Sequence, residues 1–191
     1  MKKIVFDIET KNIFDDVGKA DPTLLDISLV GVYDYETDTY SSYLEEELPK
    51  LWPLIEQADM LIGFNSDHFD IPLLNKYYPG DLLKIRSLDL LKEIRNSFGR
   101  RIGLGKVADG TLNKGKGGNG LDAVTWWKNG EIEKIRKYCL EDVKITKEVY
   151  DYAMKHGELK YKEDGKVGTI KLDTTAWEIA DDSPMTFSLP F

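Results

Sequence analysis

Alternation along KKIVFDIET, residues 2–10, puts carboxylates on a face that a sheet-forming chain has to cover. Side chains of an extended strand point to opposite faces in turn, so Ile4, Phe6 and Ile8 fall on one face and Val5, Asp7 and Glu9 on the other. Two neighbouring carboxylates in a covered site repel each other, and a bound proton or cation relieves that repulsion. A strand that merely ends in acidic, solvated residues is the alternative reading of this pair.

The rest of the chain alternates between strand and helix patterns. DISLVGVYDY and DTYSSYL read as two further strands joined by a turn at 36–38, so the chain starts as an antiparallel meander. A helix around 46–57 leads to DMLIGF, whose near-continuous apolar run suits an interior strand covered on both faces. A short helix is expected at 69–77, with Ser87 capping the next one through LDLLKEIRNSF. Residues 99–120 are rich in Gly, Lys and Asn and read as a mobile loop with at most a helical piece near 104–108. Helices follow at 121–127, where one of Trp126 and Trp127 is expected in the core, and at 131–156, with an apolar stripe at Ile135, Tyr138, Ile145, Val149 and Tyr152. LKYKEDGKVGTIKL reads as a hairpin turning at Asp164-Gly165. The class is α/β, with one domain over 1–156 and a hairpin and tail over 157–191 packed on it.

Composition narrows the function. The chain has 191 residues, and its one cysteine, Cys139, rules out an internal disulfide framework or a multi-thiolate zinc site. With no secretory pattern at the start, a reducing, cytoplasmic location is expected. No stretch approaches the roughly 20 apolar residues of a membrane span. A net charge of −8 argues against binding nucleic acid by bulk electrostatics. Bound cations reverse such a sign locally. Residues 95–118 also run against the trend, with six basic residues and one acidic. Lys106, Lys114 and Lys116 there are candidate contacts to a chain of phosphates, with a solvated charged loop as the alternative.

Two more acidic positions stand out. Tyr138 and Asp142 are one helical turn apart on one face. Asp142 shares the apolar stripe, a costly place for an ion without a partner, and metal ligation is favoured there over a cap or salt bridge. Asp70 lies just beyond the strand ending at Phe64, near a helix start that tolerates negative charge. Asn65, at the same strand end, can both donate and accept hydrogen bonds.

FDIET, N-x4-D within GFNSDHFD and Y-x3-D within YCLEDV resemble, in order and spacing, the three motifs of the DnaQ-like 3′-5′ exonucleases. The subgroup is the one whose last motif carries tyrosine (DEDDy type), related to the proofreading domain of family B DNA polymerases. The likeness implies a ribonuclease H-like fold: a mixed five-stranded sheet flanked by helices, its first three strands antiparallel, here with a C-terminal hairpin extension. It further implies that Asp7, Glu9, Asp70 and Asp142 hold two divalent ions, Mg²⁺ or Mn²⁺, and that Tyr138 positions the attacking water. Thr10 and Asn65 match positions that approach the terminal nucleotide. His68 does not occupy the place of the last motif and is not assigned as a base. The implied substrate is nucleic acid with a 3′ end, single-stranded DNA or RNA, with DNA favoured by the polymerase likeness, and the products are nucleoside 5′-monophosphates. Any proofreading or repair role needs a polymerase, helicase or repair partner in trans. A non-catalytic nucleic-acid-binding or scaffold module and a structure-selective endonuclease are the competing readings.

Overall fold

The computed structural model describes residues 1–115 and 120–179; Lys116 and the tail from 180 onward lie outside the described residues. In chain order the elements are β1 (Lys3–Thr10), α1 (Phe14–Val17), β2 (Ile27–Asp34), β3 (Thr39–Leu44), α2 (Leu48–Glu56), β4 (Met60–Gly63), α3 (Asp70–Asn75), β5 (Ser87–Asp89), α4 (Leu90–Phe98), α5 (Leu104–Leu112), α6 (Gly120–Lys128), α7 (Ile132–His156), β6 (Glu158–Glu163) and β7 (Lys166–Lys171). Five strands form one mixed sheet in the order β3-β2-β1-β4-β5. β1, β2 and β3 pair antiparallel, whereas β4 runs parallel to both β1 and β5. This is the ribonuclease H-like α/β architecture, with β6 and β7 as a separate C-terminal hairpin.

The alternation in β1 partitions the interior. Ile4, Phe6 and Ile8 join Val30, Val32 and Leu61 in a core that includes Leu51 and Ile55 of α2 and Ile71 and Leu74 of α3. On the other face Val5 and Ile62 pack with Val143, Val149 and Tyr150 of α7, and this second core extends through α4 and α5 to Leu159, Ile170 and Trp177. Asp7 and Glu9 continue the Val5 face, so they lie beneath α7. In the stripe of α7, Tyr150 is the fully buried aromatic side chain and Tyr152 is half-buried.

Several sequence expectations are corrected. Ser87 does not cap a helix: it opens the short strand β5, and Asp89 caps α4 by accepting from the Leu91 and Lys92 amides. The expected loop over 99–120 contains the nine-residue helix α5. Its Leu104, Val107 and Ala108 are buried, and it lies directly against β6. Gly110 permits that packing, because a Cβ there would stand 2.4 Å from the Tyr161 backbone. Trp126 and Trp127 are half-buried and both pack against the small core of Leu29, Ile135 and Cys139, while Ala123 and Val124 are the buried residues of α6. The hairpin turns at Asp164 and Gly165 with φ of 49° and 74°, the left-handed pair that a two-residue connection requires. Among the described residues no helix is long and apolar enough to cross a membrane.

A second close approach sets α7 on the sheet. Gly31 in β2 sits opposite Asp7, and a Cβ at Gly31 would lie 2.8 Å from Cys139 Sγ and 3.2 Å from Val143 Cγ2. The Gly31→Ala variant is therefore expected to lose about 1–3 kcal/mol through overpacking. Gly110→Ala is expected to lose more, since rigid backbone blocks its methyl group. Urea unfolding of both variants checks the order; a Gly31→Ala protein as stable as the parent would show that α7 has room to move away.

Candidate active site

One cleft of about 360 Å³ gathers Asp7, Glu9, Asp70, Tyr138 and Asp142. Thr10 and Asn65 also line it. Residues far apart in the sequence meet there because β1, α3 and α7 each bring one piece.

β1 supplies Asp7 and Glu9 on its α7-facing side, with Asp7 half-buried and Glu9 6% exposed. Between Glu9 and Thr10 the register with β2 shifts, so the two neighbours do not alternate in the regular way and Thr10 lines the same cleft. The Thr10 hydroxyl donates to the Asn12 carbonyl at 2.8 Å, which fixes its rotamer and leaves its oxygen as an acceptor.

Asp70 is placed by a missing strand partner. Pairing of β1 with β4 stops at Val5 and Ile62, and beyond that point the Asp70 carboxylate accepts the Ile8 amide at 3.1 Å. Asp70 is the first residue of α3 and is 5% exposed. Burial pushes its carboxyl up to about 7, more than the hydrogen bonds from backbone amides lower it.

α7 supplies the other wall. Tyr138 and Asp142 are buried one turn apart, and the Tyr138 ring meets Trp126 of α6 edge-on with centroids 5.7 Å apart. Between them Cys139 points at the sheet. Its thiol donates to the Asp7 carbonyl at 3.4 Å and to Asp7 Oδ2 at 3.7 Å. Burial, reinforced by the negative charge of Asp7, pushes the thiol well above its usual range and keeps it protonated.

The donor set suits a hard divalent cation. Ligand atoms of Asp7, Glu9 and Cys139 lie within 4.8 Å of one another, and Asp70 and Asp142 bring further carboxylates to the same cleft. Carboxylate oxygens match Mg²⁺ or Mn²⁺, whereas soft sulfur does not, so Cys139 fits a hydrogen-bonding role toward Asp7 rather than ligation of such an ion.

The basic candidates lie elsewhere. Lys106 pairs with Glu163 of β6, and Lys114 pairs with Glu148 of α7 at 2.6 Å; neither lines the cleft. His68 is exposed and is also absent from the cleft wall. Sequence reasoning missed Phe14, Leu121 and Val124, which form an apolar lip, with Phe14 edge-on to Phe69 at 6.0 Å. Their only sequence signal was proximity to a motif.

The Asp70 carboxyl yields a pH prediction. Its value in the fold lies above that of an unfolded aspartate, so between about pH 4 and 7 the native state holds the extra proton. In EDTA the stability it contributes is present below that window and is lost as pH rises through 7. Urea unfolding across pH should therefore show a steeper fall for the parent than for Asp70→Asn; identical profiles would contradict the raised value.

No curated protein matches the chain in sequence. In structure it is similar to the family B DNA polymerase from the hyperthermophilic archaeon Pyrobaculum calidifontis, with a TM-score of 0.61 and 17% identity over 81% of this chain and 24% of that one. It is also similar to Trypanosoma brucei RNase D, with a TM-score of 0.57 and 16% identity over 78% of this chain and 56% of that one. The chain thus spans a quarter of the polymerase and just over half of the RNase D. Residues 4–154 match the family model of the RNase H superfamily, a span that contains the five-stranded sheet from Ile4 onward and every cleft residue named above, and the chain belongs to that superfamily.

Proposed function

We propose that this protein is a metal-dependent 3′-5′ exonuclease of the DnaQ-like, tyrosine-bearing group, hydrolysing single-stranded DNA to nucleoside 5′-monophosphates. The observation that carries the reading is the convergence of four carboxylates and a tyrosine from β1, α3 and α7 on one cleft. The fold shared with a DNA polymerase and an RNase D supports a nucleic-acid substrate.

Asp7, Glu9, Asp70 and Asp142 would hold two divalent ions. When bound, such ions acidify water and stabilise negative charge on the scissile phosphate and the departing 3′ oxygen. The protein's own groups do the placing. Cys139 orients Asp7 through its thiol, and Ile8 fixes one oxygen of Asp70. Tyr138, braced by Trp126, orients the attacking water with its hydroxyl. Thr10 and Asn65 offer neutral groups to the terminal sugar and phosphate, which adds no charge to an already acidic cleft.

The test is product length over time with 5′-labelled single-stranded DNA and RNA in Mg²⁺, Mn²⁺ or EDTA. A ladder shortening from the 3′ end, silent in EDTA, is expected. Asp7→Ala should lose about a thousandfold or more in kcat, and Tyr138→Phe roughly a hundredfold, the scale of a misplaced reactant. Near-parental turnover by Asp7→Ala would sink the proposal, and products that stay oligomeric would point to an endonuclease.

A further inference from the structure

Beside the acidic cleft runs a second groove of about 430 Å³, lined by Asn65, Asp67, Asp89, Lys92, Arg95 and Arg101 among others. Asn65 belongs to both walls, so the two depressions adjoin at that side chain. We propose that this groove is a subsite for the phosphate backbone of a single strand whose 3′ end occupies the cleft. The proposal rests on the exonuclease reading for the direction of the strand.

The charge in the groove is positive once its own pairings are counted. The Asp89 carboxylate accepts four backbone amides, from Asn65 at 2.7 Å, Asp67 at 3.2 Å, Leu91 at 2.9 Å and Lys92 at 3.4 Å. Asp67 pairs with the Lys92 ammonium at 2.7 Å and accepts the Ser87 hydroxyl at 2.7 Å. Arg101 is held by a neutral acceptor, donating to Asn65 Oδ1 at 2.6 Å, and Arg95 is exposed. Among the described residues neither arginine has a carboxylate within ion-pair distance. The other described cations of the 95–118 run differ: Arg100 and Lys106 share Glu163, and Lys114 is taken by Glu148. In a chain with a net charge of −8, Arg95 and Arg101 therefore bring two cations without a carboxylate partner among the described residues to one groove at the rim of the carboxylate cleft.

Guanidinium groups suit phosphodiesters because their planar donors engage two oxygens at once. The Arg101 to Asn65 bond also links the subsites mechanically. Asn65 holds a left-handed backbone, φ 69°, pinned by Asp89, and with its oxygen taken by Arg101 its amide N–H groups remain to donate. Arginine and asparagine thus form one connected surface from groove to cleft, which a strand longer than a few nucleotides can follow.

The test is equilibrium binding, by fluorescence anisotropy in Mg²⁺ across a salt series, of a twelve-nucleotide and a three-nucleotide single-stranded DNA carrying phosphorothioate linkages at the 3′ end. Arg95→Ala and Arg101→Ala should each weaken the longer strand about fivefold to tenfold and flatten its log Kd against log salt by about 0.7, the share of one phosphate contact on a single strand. For Arg95→Ala the shorter strand should change by less than about twofold, and Arg95→Lys should keep the salt slope. Unchanged affinity and slope for the longer strand overturn the groove, as does equal weakening of both lengths by Arg95→Ala. Hydrolysis of unmodified strands, followed in parallel, separates the two readings. A parent that binds but never cleaves sinks the exonuclease and leaves the groove standing. Cleavage with variant affinities like the parent's does the reverse.

Discussion

The contact between α7 and β2 at Gly31 governs the placement of this site. Without a side chain at Gly31, Cys139 descends to the sheet and its thiol reaches Asp7. The same descent lowers Tyr138 and Asp142, one residue before and three after, into the cleft that β1 already lines. Protein interiors are packed to near-crystal density, so even a methyl group at such a point moves a helix rather than filling a gap. The carboxylate geometry is therefore a consequence of helix-to-sheet distance, set by one glycine and one small, uncharged thiol.

Much of this was legible in the sequence, for physical reasons that also explain the failures. β1, β2, β3 and the terminal hairpin declare themselves through period-two alternation and, at Asp164-Gly165, through turn chemistry. Asp7, Glu9 and Asp142 were legible because strand and helix periodicities fix which residues share a face, whereas Asp70 joined them only through the likeness to the exonuclease motifs. β5 was not, since three residues, Ser87–Asp89, show no period before a helical pattern begins. α5 was hidden by its glycines: Gly110 looks like a breaker locally, and its purpose is the Tyr161 backbone half a chain-turn away. The pairing of the basic run was hidden for a similar reason. Charge can be counted along a sequence, but Lys106 finds Glu163 across 57 residues and Lys114 finds Glu148 across 34, so which cations keep their charge available is settled only by tertiary structure.

The hairpin follows from the same accounting. β6 and β7 look too polar to anchor anything, yet Leu159 and Ile170 are fully buried in the core shared with α5 and α7. Glu163 binds Arg100 and Lys106, and Thr111 exchanges hydrogen bonds with the Lys160 backbone. Lys162 of this extension pairs with Asp109 of α5 and Lys171 with Glu158, and its few apolar residues hold α5 in place.

The register shift at the end of β1 carries a last consequence. A slip of one residue would turn every side chain of a strand to the opposite face and send Asp7 and Glu9 into the apolar core. Because the irregularity lies between Glu9 and Thr10, any lengthening or shortening of the 11–26 connection can be absorbed beyond it. The strand pairing that fixes the carboxylates is in this sense insulated from changes of length in the connection that follows, although that connection also lends Asn12 and Phe14 to the cleft wall.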